Sequence, residues 1–410
     1  MTMKKLTILG AAGLACMTLA APRQVEAIPA YARQTGQTCA ACHFQRYPLL
    51  NAYGRNFKEN GYTQVKPGTT IEDSDLSLPI TLNAALVSKF RYQKTNGTNP
   101  GGTNTGNFDV PDEASLFLAG RVAKNIGFQA DINIAKEGAG LAGFKVPFVF
   151  PGEAVSFLAI PFFTDAQGAA YGYELLNTGA VEYSRAIEHG RESSAQQYLV
   201  KDGNEETGTT GVALVARHKL GYLSYTPHYA NGGSAAPKGY LSYVRGVITP
   251  GKVGNFDVAG GFQLWAGTST IVGDSSDNVT KHANVLAFDA QAQGKIGNYP
   301  LGIYLTYGSA AKSGVKTNMF NSSTVASKTA YAIAADLGII PSRLGIEAAY
   351  RNARNGTGIN DGENAFTLGA IYNISKNLAF HINQTFYSYD QPDLAADGDR
   401  KTTIMLFSAF

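Results

Sequence analysis

The stretch Leu378-Ala379-Phe380-His381-Ile382-Asn383-Gln384-Thr385 alternates with a period of two. Leu378, Phe380 and Ile382 fall on one face and His381, Asn383 and Thr385 on the other, the pattern of a half-buried strand. The same period recurs upstream. Ile80, Leu82, Ala84, Leu86, Phe90 and Tyr92 alternate with Thr81, Asn83, Lys89, Arg91 and Gln93. Phe128, Ala130 and Ile132 oppose Gln129, Asp131 and Asn133, and Leu344, Ile346, Ala348 and Tyr350 face away from Glu347 and Arg351. A two-sheet sandwich also alternates, so the connections must choose the architecture. Short turns are expected at Lys124-Asn125, Pro250-Gly251, 294–298, 341–343 and 375–377. Long Gly/Asn/Asp/Ser/Thr-rich loops are expected at 93–113, 187–210, 266–283, 309–328, 352–364 and 389–400. Short turns at one end and long loops at the other describe a bacterial outer-membrane β-barrel.

Composition supports that choice. Of 410 residues, 16% are charged, against roughly 25% in ordinary soluble proteins. With 22 Tyr, 21 Phe and 46 Gly, the chain is too aromatic for disorder. Beyond residue 27 no run of about 18 apolar residues could form a spanning helix. The final strand, Ile404 to Phe410, ends on an aromatic, which resembles the recognition signal of outer-membrane barrels.

Lys4 and Lys5, the apolar stretch Leu6 to Ala21 and the small residues of Val25-Glu26-Ala27 predict a secretory signal peptide over residues 1–27. Its removal takes three basic residues and one acidic, so the formal charge of +3 falls to +1. No basic run remains to suggest nucleic acid as a partner. Residues 76–410, at about 21 per strand with its connection, give about sixteen strands. Eighteen is the alternative, because Pro147, Pro151 and Pro161 interrupt the alternation between Phe144 and Ala180.

Two of the three cysteines stand in Cys39-Ala40-Ala41-Cys42-His43, the C-x-x-C-H pattern of c-type haem attachment. Thiols three residues apart can form thioethers to one haem, and the adjacent imidazole of His43 then serves as proximal ligand to the iron. A redox CxxC would want a βαβ surround, and a zinc site a second ligand pair nearby; neither is visible. Pro48 can open a helix, Leu49, Leu50, Tyr53 and Phe57 recur at helical spacing, and Gly61 can stop it. Residues 28–75 thus read as a small helical haem domain that cannot bury much core alone. As filler of the barrel lumen it would gain the missing contacts.

The stretch Ile28-Pro29-Ala30-Tyr31-Ala32-Arg33-Gln34-Thr35-Gly36, with Cys39–His43, Pro48, Gly54, Phe57-Lys58 and Gly61-Tyr62, resembles the fused cytochrome–porins. These are iron-oxidising outer-membrane cytochromes of neutrophilic and acidophilic bacteria. The resemblance implies one covalent haem c in an N-terminal domain plugging a barrel of about sixteen strands. It also implies an Fe(II) oxidase activity, with electrons passing from extracellular Fe(II) to a periplasmic c-type cytochrome or similar acceptor. Carried over, Cys39 and Cys42 are the thioether residues and His43 the proximal ligand. Arg33 is either a haem propionate contact or a backbone cap.

The sixth iron position is open among Met319, Met405, His189, His218, His228, His282 and His381. The alternation points Met405 and His381 into the lumen. Asp109, Asp112, Glu113, Glu205, Glu206, Asp361, Glu363, Asp390 and Asp393 fall in the expected outer loops, where oxygen donors would suit Fe(II). They read equally as solvated loop charge. Two other functions stay open: a passive porin with a structural haem plug, and an electron conduit for another donor. Outer-membrane lipid surrounds the barrel in every case, and oligomerisation is compatible with all of them.

Overall fold

The computed structural model describes residues 29–73, 77–80, 83–97, 106–135, 140–182, 185–188, 190–200, 208–230, 238–271, 279–389 and 398–410. The expected signal peptide, His189, Glu205, Glu206, Asp390 and Asp393 lie outside the described residues.

The strands form one closed antiparallel barrel. Its seam joins the first barrel strand, Ala84–Thr95, to the last, Arg400–Ala409, with Tyr92 opposite Ile404. The count is sixteen. The uncertain region resolves as a single interrupted strand, Gly140–Lys145 and Phe148–Phe150, whose two halves both pair with Ile126–Asn133 and Val155–Thr164. Pro147 cannot donate to a ladder, so the strand breaks there. Pro161 sits opposite the break, its carbonyl accepting from Val146 N at 3.1 Å.

Alternation sorts the two faces. Along Leu378–Tyr389, Ala379, His381, Asn383 and Thr385 are buried toward the lumen, while Phe380, Ile382 and Phe386 are exposed outside. Leu286, Phe288, Leu305, Tyr307, Ile333, Ile346 and Leu368 continue the outward apolar band. Such a band far exceeds the apolar patches soluble monomers expose and matches a bilayer core. No helix among the described residues is long and apolar enough to cross a membrane; the strands do so.

Besides the first long loop, whose residues 107–113 belong to the strand Asn107–Ala123, three expected connections move. Pro250-Gly251 is not a turn: the strand Leu241–Val253 runs through it, with a bulge between Ile248 and Gly251 that absorbs the proline. The reversal comes at Gly254, whose φ of +60° suits glycine. Residues 266–271 and 279–283 are strand, because Phe256–Ile271 and Val279–Ile296 keep pairing past the apolar band, Ile271 opposite Val279. The third change matters most. Residues 165–182, 185–188 and 190–200, of which those from 187 on read as outer loop, fold inward, with the helices Gly190–Ser193 and Ala195–Val200 almost wholly buried.

One buried ion cluster holds that inward stretch. Arg245 of the wall reaches Glu174 of the stretch at 3.0 Å and Asp289 of the next strand but one at 2.5 Å. Glu174 also accepts from the backbone N–H of Leu175 and of Leu176, each at 2.9 Å. Thr178 donates to Asp289 at 2.5 Å. All three ionic side chains are shielded from water, with one guanidinium shared by two carboxylates whose oxygens also take Thr178 and the backbone N–H groups of Leu175 and Leu176.

Candidate functional site

The N-terminal segment reaches lumen-facing wall residues at the short-turn end of the barrel. Gln45 donates to Asp336 at 2.6 Å, Arg46 to Glu347 at 2.7 Å, and Arg55 pairs with Asp257. Asn177 of the inward stretch clamps Leu50 from both sides: its amide donates to Leu50 O at 3.0 Å and accepts from Leu50 N at 2.8 Å.

Cys39–Cys42 is a single helical turn, closed where His43 N donates to Cys39 O at 2.8 Å. The helix expected from Pro48 begins later, at Ala52–Glu59, because Asn51 is the better cap: its side chain accepts from Gly54 N at 2.9 Å. Asn51 also ties the two helices together. Its N–H donates to Cys42 O and its amide to Ala41 O, both at 2.9 Å. Gly54 allows this approach, since a Cβ there would lie 2.2 Å from Cys42 O. Ala ordinarily favours a helix interior by up to about 1 kcal/mol. Against a fixed backbone carbonyl, overpacking outweighs that gain. Gly54→Ala is therefore expected to destabilise the segment by roughly 1–2 kcal/mol, read as faster limited proteolysis within residues 29–66 while the barrel stays resistant.

Cys39, Cys42 and His43 line one cavity together. Its walls are mostly apolar, with Ala30, Tyr31, Phe57 and Tyr62 on one side and Phe117 and Ala119 of the barrel on the other. Lys58 and Lys145 supply positive charge, and Tyr171 brings a hydroxyl that is buried with no hydrogen-bond partner among the described residues.

His43 is held by Leu49 O, 3.2 Å from Nδ1, and by the edge of Tyr47 at 5.4 Å. With the proton on Nδ1, the lone pair sits on Nε2. Burial pushes His43 down to about 4, so the ring is neutral at physiological pH. Burial and the neighbouring Cys39 push the Cys42 thiol up to about 11. Burial lowers Lys58 to about 8, with Glu174 opposing the fall.

The other candidates are dispersed. Arg33 donates to Ala84 O and lines a neighbouring cavity, outside the one that holds the CxxCH side chains. Of the two lysines at the CxxCH cavity, Lys58 stood in the Phe57-Lys58 pair of the resemblance without a role, and Lys145 carried no motif. His381 and Met405 are direct cross-strand partners facing the lumen. His381 lines a much smaller cavity together with Cys39, His43 and Tyr47, and its buried Nδ1 has no partner among the described residues. Met405 lies in an apolar cluster on which Tyr31 and Tyr47 pack.

His228, His282 and Met319 belong to the long-loop half, and His218 is exposed at a short turn. Asp112 and Glu113 are wall residues paired with Arg91 and Lys89, at 3.1 and 2.5 Å. Glu363 accepts from Tyr198 at 3.0 Å. These carboxylates are committed to the fold.

No family model and no curated protein matches the chain. Among solved structures, Salmonella typhi OmpF in complex with daunomycin is similar over 83% of this chain and 100% of its own, at a TM-score of 0.52 and 12% identity. A loop-deletion mutant of Vibrio cholerae OmpT gives a TM-score of 0.48 and 10% identity over 80% of this chain and 99% of its own. Pseudomonas aeruginosa OccK10 gives 0.44 and 9% over 82% and 99%. The first establishes a shared barrel fold.

Proposed function

We propose that the chain is an outer-membrane electron-transfer protein, carrying one covalent haem c and oxidising extracellular Fe(II). The observation that supports this reading is the meeting of Cys39, Cys42 and His43 at one mostly apolar cavity. The donor set fits the group: two thiols for thioethers, an imidazole whose other nitrogen is fixed by a carbonyl, and two cations for propionates.

Haem c, when bound, supplies a one-electron couple. Cys39 and Cys42 would tether it, and His43 would hold the iron, oriented through Leu49 O. Lys58 and Lys145 would take the carboxylates, a role the sequence suggested for Arg33. His381 is the distal candidate ahead of Met405, because it shares a cavity with His43. The apolar walls exclude water and thereby tune the potential. Fe(II) outside loses one electron, and a one-electron carrier in the periplasm gains it. Anaerobic mixing of oxidised, haem-loaded protein with Fe(II) should give the reduced haem spectrum. Reduction by dithionite but never by Fe(II) would remove Fe(II) as donor.

A passive porin is the second reading, favoured by the barrel likeness to OmpF. Planar-bilayer recording separates the two. With residues 165–200 and the N-terminal segment against the lumen wall, conductance is expected to fall at least several-fold below that of an open sixteen-stranded porin. A full-size open channel would favour the passive reading.

A further inference from the structure

We infer that the short-turn mouth is a docking ring for an acidic soluble protein, and, resting on the reading above, that this protein is the periplasmic electron acceptor. Seven basic residues stand in or within two residues of the seven short connections: Lys124, Arg217, Lys219, Lys252, Lys295, Arg343 and Lys376, of which Arg217 is paired with Glu59. The five lysines are exposed, and none forms an ion pair among the described residues. In the same windows the acids are Glu153 and Asp257, and Asp257 is occupied by Arg55.

This is a local excess of one sign in a nearly neutral chain. The ring also borders the proposed site, since the carbonyl of Lys376 lies 3.6 Å from Cys39 Sγ. A rim of one sign around an opening concentrates partners of the other sign and orients them on arrival. Anionic lipid headgroups could also meet basic turns. The position of Lys376 over the site's edge favours a protein that must come close to it.

The test uses the full chain in phosphatidylcholine nanodiscs. The probes are cytochrome c in its native basic form and the same protein with its lysines succinylated. Binding is followed by surface plasmon resonance, which does not require haem in the membrane protein. The succinylated probe is expected to bind and the native one not. Its affinity should fall at least tenfold between roughly 0.01 and 0.15 M salt, as the Debye length drops from about 30 to 8 Å. A variant with Lys124→Glu, Lys219→Glu, Lys252→Glu, Lys295→Glu and Lys376→Glu should lose binding. The five-fold Gln variant should be intermediate, and both should keep the heat-modifiable mobility of a folded barrel.

Equal binding of both probes, or undiminished binding to the Glu variant, would overturn the inference. So would an effect of charge reversal confined to discs containing phosphatidylglycerol, which would assign the ring to lipid. A chain that binds the acidic probe but carries no haem would sink the electron-transfer reading alone.

Discussion

The double variant Cys39→Ser with Cys42→Ser is expected to lose all covalently retained haem while the barrel forms as before. The two thiols are not joined in a disulfide, and the turn that carries them buries no residue. Cys39 Sγ lies 3.6 Å from the carbonyl of Lys376, at the edge of the fold's short-turn end. Serine reproduces the volume and can keep that contact, so the cost to folding should stay under about 0.5 kcal/mol, as for surface changes away from structural devices. Each single variant keeps one thioether and should retain haem at a reduced level. Haem-dependent peroxidase staining after denaturing electrophoresis reads the covalent bond, and heat-modifiable mobility reads the barrel. Unstained wild type would end the haem proposal. Loss of the barrel in the double variant would show instead that the thiols have a structural role.

Arg245→Met is expected to be the most damaging single substitution outside the motif. Both neighbours of Arg245 are carboxylates closed off from water. Removing the cation leaves two negative charges facing one another, which costs about 3–5 kcal/mol where one partner of a buried pair is lost. The midpoint of urea unfolding in lipid should shift accordingly with an unchanged slope. The same change should loosen residues 165–200 and raise single-channel conductance. Adding Glu174→Gln and Asp289→Asn should recover part of the stability, since removing a whole buried ion cluster costs less than breaking it. A single variant with wild-type midpoint and conductance would refute the latch.

The legible part of the fold was local. Leu378 to Thr385 shows its two faces because the pleat fixes a period of two, and the strand count follows from chain length. CxxCH is legible because covalent attachment demands that spacing. The inward course of 165–200 was hidden, because a polar loop reads alike in water and in a lumen. What turns it inward is Glu174 meeting Arg245 and Asn177 meeting Leu50, pairs 71 and 127 residues apart. Pro250 misled for a different reason: a bulge lets a strand keep a residue that normally ends one. Lys145 escaped notice, and Lys58 was seen only as part of the resemblance, because a lone lysine acquires a role only from the cavity it faces.

The seam has a consequence for the order of events in folding. It brings together residues such as Ser88 and Ser408, 320 positions apart, so ring closure carries the largest loop entropy in the molecule. The inward stretch is held through Glu174 and Thr178 to strands that pair in sequence order, so its seat can form before the first and last strands meet. Closure then acts as a proofreading step: a chain whose interior is misplaced leaves its edges unpaired, exposed to degradation and to pairing with its neighbours.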